Sequence, residues 1–134
     1  MLENTKLESL LNDPSLLAKK AYVAGEWVSA KDGKTFDVVN PATGEVIAKL
    51  PDLDVKDAKH AIDEAAIAQK KWAAFTGKER ASILREMYNL MTLNANDLGI
   101  ILTSEMGKPL AEGTGEIAYA ASFFEWFGEE AKRI

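Results

Sequence analysis

Few side chains in this sequence combine the type and spacing that chemistry asks for. Gly113, Gly115 and Ala118 stand in the order of a dinucleotide fingerprint, G-x-G-x-x-A, whose glycines let a backbone turn approach a pyrophosphate. That turn has to follow a β-strand and open a helix. The residues just before it, Lys108 to Glu112, already read as helix, so the glycines are assigned to a close helix–helix contact instead. Each costs a helix about 1 kcal/mol relative to Ala. Glu105 and Glu116 are two carboxylates that acid–base chemistry could use. No pocket is legible around them, and surface or capping roles are the expectation. His60 is the single histidine, so no second imidazole exists to share a metal, and it is expected as an exposed helix residue. Cysteine is absent, which excludes disulfides, a thiolate nucleophile and cysteine-ligated metal within this chain.

The elements that must position these residues centre on the stretch from Thr103 to Ile134. Gly107 is a helix stop, and Pro109 suits a first helical position. Leu110, Thr114, Ile117, Ala121, Phe124, Gly128 and Ala131 then draw one helical stripe. Phe123, Trp126 and Phe127 widen it into an aromatic end, expected to be buried against something large. Upstream, residues 6–11 and 14–20 predict an amphipathic helical arm. Tyr22 and Val23, then Trp27 and Val28, flank a turn at Ala24-Gly25-Glu26. Thr35 to Val39 reads as a strand, Asn40 to Gly44 as a loop, and Glu45 to Leu50 as a returning strand with Val46, Ala48 and Leu50 on one face. Asp54 is an N-cap, and Thr76 with Glu79 forms a capping box. Asn94 or Asn96 caps a further helix. Val55, Ala58, Ile62, Ala65, Trp72 and Phe75 supply one apolar face, and Ile83, Leu84, Met87, Leu90 and Met91 another. The fold class is α+β: antiparallel hairpins over 21–50, then helices over 55–74, 78–93, 95–106 and 109–133.

Composition narrows the function classes. Hydrophobic content of 47% and charged content of 28% over 134 residues are ordinary for a globular chain. A net charge of −5 carries no electrostatic footprint for nucleic acid. No apolar run is long enough for a membrane span, and the N-terminus lacks the basic region and apolar core of a signal peptide. A cytoplasmic location is expected, with no nucleic-acid and no membrane partner.

Several strings match a known family. They are GEW at Gly25 to Trp27, NPATGE at Asn40 to Glu45, the W-x-x-F of Trp72 and Phe75, KERASIL from Lys78, SEMGKPLAE from Ser104, and EIAYAASFFEWFGEEAKRI from Glu116. Together they resemble the N-terminal portion of the aldehyde dehydrogenase superfamily. The last string is most similar to the bacterial succinate-semialdehyde dehydrogenase branch. Gly113-Thr114-Gly115 departs from the family, where helix formers are commoner.

The resemblance implies a fragment of the α/β aldehyde dehydrogenase fold: an arm over 1–20, hairpins over 21–50 and a helical part of the cofactor-binding domain over 51–134, incomplete at its C-terminus. It implies oxidation of an aldehyde to an acid, with hydride passing to NAD or NADP in the parent enzyme. There a Cys attacks the aldehyde, a thioester forms, and water cleaves it with a Glu as base. By the same resemblance those two groups and the phosphate-binding glycine turn lie past Ile134. The chain alone is therefore expected to bind no cofactor and to be inactive. Its partner is the remainder of the dehydrogenase polypeptide, and the parent is expected to be a homo-oligomer. Phe123, Phe124, Trp126 and Phe127 are implied as substrate-tunnel wall, with plain core as the alternative. Val38 and Glu105 fall on positions that contribute to a monovalent-cation site in some members. The rival reading is a freestanding helical interaction module without catalytic activity.

Overall fold

The computed structural model describes residues 6–133; residues 1–5 of the expected arm, and Ile134, lie outside the described residues. The arm forms two short 3-10 turns, Glu8–Leu10 and Pro14–Leu16, rather than a regular helix. Pro14 opens the second turn, and Asp13 caps it by accepting the Ser15 N–H at 3.0 Å. Runs this short are held by tertiary packing, not by helix propensity. Leu7, Leu11 and Leu17 bury themselves with Ile47, and Val38, Ile100 and Ile101 close around them. The arm thus fills the space between a hairpin and a helix.

Strands β1 (Ala21–Val23) and β2 (Glu26–Val28) pair antiparallel, Val23 opposite Glu26, which leaves a two-residue turn. Ala24 and Gly25 both take positive φ there, 53° and 89°, as a primed hairpin turn requires. Strands β3 (Thr35–Val39) and β4 (Val46–Pro51) form a second antiparallel pair. Its register steps from Val38 opposite Ala48 to Val39 opposite Val46, so Ile47 is a bulge residue. The bulge overturns the expected alternation: Ile47 and Ala48 are both buried, while Val46 is exposed.

Four helices follow: α1 (Val55–Ala74), α2 (Gly77–Leu93), α3 (Ala95–Met106) and α4 (Leu110–Glu130). The Asp54 side chain accepts from Lys56 N–H at 2.7 Å and Asp57 N–H at 3.0 Å, and Asp57 reaches back to the Asp54 N–H. Thr76 and Glu79 make the expected capping box. Asn94 occupies the N-cap of α3, but its amide donates backward to the Leu90 carbonyl at 2.9 Å instead of capping forward. Gly107 closes α3 in the left-handed region, φ 78°. Pro109 sits one residue earlier than expected, at the N-cap of α4, with ψ 143°. At the far end α4 stops before 133, because Lys132 and Arg133 donate to the carbonyls three residues back and tighten the chain into a turn.

Helix α4 lies across both α2 and α3 on small residues. Ala81 of α2, Gly99 of α3 and Gly113, Ala121 and Gly128 of α4 are buried. A Cβ on Gly113 would come within 2.7 Å of Thr103 Oγ1 and 3.0 Å of the Gly99 carbonyl oxygen. Backbone meets backbone there, which is why the sequence spends glycines in helices. Helix α1 buries none of its residues, so its expected apolar face at Val55 and Ile62 stands exposed.

Candidate functional site

Phe124 is half-buried on the expected stripe with Thr114, Ile117 and, just past α4, Ala131, while Ala121 and Gly128 are fully buried and Leu110, at the start, is exposed. Phe123, Trp126 and Phe127 do not widen that stripe. They are exposed at 45%, 64% and 55%, and with Tyr119 they form a second row on another face of α4. Tyr119 and Phe123, one turn apart, meet edge to face with centroids 4.9 Å apart. Ala81, Ala121 and Gly128 are buried where α2 meets α4, and helical spacing places Phe123, Trp126 and Phe127 on a face turned away from them.

The row lines an open groove of about 960 Å³ together with Arg85 of α2, Glu125 and Glu129. Arg85 Nη1 donates to Glu125 Oε1 and Nη2 to Glu129 Oε1, both at 2.7 Å. Those carboxylates are one helical turn apart, so a single guanidinium bridges two turns of α4. Its Cζ also lies 5.4 Å from the centroid of the Tyr88 ring. Glu125 first and Glu129 second raise the Arg85 pKa, and Arg85, ahead of Lys132, lowers that of Glu129. Neither Arg85 nor Tyr119 stands out in the sequence. Glu125 and Glu129, like charges one turn apart, repel each other unless a cation such as Arg85 lies between them, but nothing in the sequence says which one.

The remaining candidates are dispersed. Gly113 packs on α3, while Gly115 faces open space, and both lie inside α4 with no strand before them. The residues present therefore do not form a dinucleotide cradle. Glu116 pairs with Lys108, not with Glu105, which is exposed in the last turn of α3. Val38 is half-buried in β3 against the arm leucines. His60 is exposed on α1. Among the described residues no group of three or more His, Asp or Glu gathers as metal ligands. No helix among them is long and apolar enough to cross a membrane.

Two family strings noted above meet in space. A Cβ on Gly107, in SEMGKPLAE, would lie 2.9 Å from Cγ of Pro41, in NPATGE. The loop between β3 and β4 seats on the turn between α3 and α4, and glycine is what lets it sit so close.

Comparison with known proteins agrees with this arrangement. A family model described as the aldehyde dehydrogenase family matches residues 27–134. Glutarate-semialdehyde dehydrogenase of Pseudomonas aeruginosa is 53% identical over 124 residues, 92% of this chain and 26% of the relative. Succinate-semialdehyde dehydrogenase [NADP(+)] of Escherichia coli is 49% identical over the same shares of the two chains. The crystal structure of an aldehyde dehydrogenase from Brucella melitensis biovar abortus superposes with TM-score 0.89 at 56% identity, covering 92% of this chain and 26% of that one. The chain thus spans about a quarter of the length of the relatives it matches.

Proposed function

The chain belongs to the aldehyde dehydrogenase family, and we propose that it serves the oxidation of a small dicarboxylic semialdehyde to its acid with NAD or NADP. The observation that carries this reading is its near-equal identity, 53% and 49%, to relatives named for glutarate and succinate semialdehyde. Both substrates are short carbon chains with an aldehyde at one end and a carboxylate at the other.

Within that activity the stretch supplies wall and packing. It contains no thiol to form a covalent intermediate. The nicotinamide would accept the hydride, but these residues do not hold it. The exposed row of Tyr119, Phe123, Trp126 and Phe127 excludes water along one side of the substrate path, and Phe124 backs it. Val38 and Glu105 are proposed to contribute to a monovalent-cation site, through a backbone carbonyl and a carboxylate. Thin burial supports a larger partner: no large side chain among the described residues falls below 2% exposure. The proposed partner is the rest of a dehydrogenase polypeptide, in a cytoplasmic homo-oligomer.

The test is a chimera in which this stretch replaces the matching quarter of the Escherichia coli relative. Reduced nicotinamide should form with succinate or glutarate semialdehyde. A folded chimera that binds cofactor yet oxidises neither would overturn the reading.

A further inference from the structure

We propose that Arg85 is a positioning residue, whose two-pronged grip on Glu125 and Glu129 sets the rotation of α4 and so the placement of the aromatic row in the groove. The inference rests on the reading of that row as a substrate-facing wall. Its physical basis is the smoothness of the α2–α4 contact. Ala81, Ala121 and Gly128 are buried there, and a Cβ on Gly128 would find the Ala81 carbonyl oxygen and the Leu84 Cβ both at 3.5 Å. Ala and Gly bring two helices close, and the larger side chains beside them, Leu84 and Phe124, are only half-buried. A directional polar contact adds to them in fixing the angle of α4 about its own axis.

Arg85 is built for it. Its two terminal nitrogens reach two carboxylates one turn apart, so rotating α4 in either direction lengthens at least one 2.7 Å bond. Trp126 and Phe127 lie in sequence between the two gripped residues, and their rings point into the groove that Arg85 also lines. An exposed single ion pair contributes little, but a forked guanidinium with two carboxylates is the geometry in which orientation is enforced. A lysine has the charge without the fork.

The experiment compares Arg85→Lys and Arg85→Gln in two settings. In the 134-residue chain, amide hydrogen exchange of residues 122–130 should quicken in both variants, while exchange in α3 stays unchanged. In the chimera, KM for the semialdehyde should rise while kcat holds, with kcat/KM falling by as much as about a hundredfold from misplacement of the wall. A chimera inactive with native Arg85 condemns the functional reading, and the exchange arm then still decides on the grip. Arg85→Lys matching the native protein in both exchange and KM would overturn the proposal, since charge alone would suffice. So would Arg85→Gln with native exchange over 122–130, since α4 would then be set by other contacts.

Discussion

Asp97 is the one buried charged residue among those described, 3% exposed at the start of α3. It ties the arm to the helices by accepting the Asp13 N–H at 2.8 Å and the Asn12 side-chain amide at 2.9 Å. The Asp13 backbone donor, ahead of the Asn12 and Asn96 contacts, holds its carboxyl below the usual range. A carboxyl whose folded pKa is depressed stabilises fully above its unfolded value, about 3.9, and loses that contribution as pH falls through the lower folded value. The thermal midpoint of the native chain should therefore fall as pH drops below about 4. Asp97→Asn should lower the midpoint already at neutral pH and make that acid fall smaller. Gly107 gives a second prediction at this scale. An alanine there meets both a left-handed φ and the Pro41 ring. Gly107→Ala should cost more than the roughly 1–2 kcal/mol of the backbone conformation alone, read from urea unfolding.

Along α4 the two fingerprint glycines are separable by experiment. Gly113 has the Gly99 carbonyl and Thr103 hydroxyl against it, while nothing lies within 4 Å of a Cβ on Gly115. Gly113→Ala should destabilise by about 1–3 kcal/mol through overpacking. Gly115→Ala should stabilise by about 1 kcal/mol through helix propensity. Chemical denaturation of both variants reads the two signs directly. The sequence showed the helices because their ends carry local chemistry: Asp54, the Thr76 and Glu79 box, and Gly107 each act within a turn of themselves. It misplaced what depends on neighbours. The arm periodicity suggested a helix, but its leucines follow the shape of the hairpin and α3. The Ile47 bulge is set by pairing with β3. The aromatic residues run on beside the stripe in the sequence, and which of the two faces packs on α2 and α3 is decided only in the tertiary structure. Arg85 was illegible for the same reason, its partners lying 40 and 44 residues away.

At the scale of the whole chain, apolar surface is left without cover. Val55, Ile62, Tyr119, Trp126 and Phe127 are all more than half exposed. Each side chain kept in water forgoes roughly 1.5–3 kcal/mol of burial. A row of such rings exceeds what a lone soluble domain ordinarily presents, and it should bind hydrophobic dyes and drive self-association. Rings that prove to be internal core would favour the freestanding-module reading; the dehydrogenase reading requires them to be a face awaiting the remaining polypeptide. Replacing Trp126 and Phe127 together by Ser separates the two. Urea unfolding followed by sedimentation of the double variant is the decisive measurement. An unfolding midpoint close to native is expected, with self-association and dye binding reduced. A double variant that no longer folds would contradict it, because the aromatic row would then be internal packing and not the wall of a substrate path.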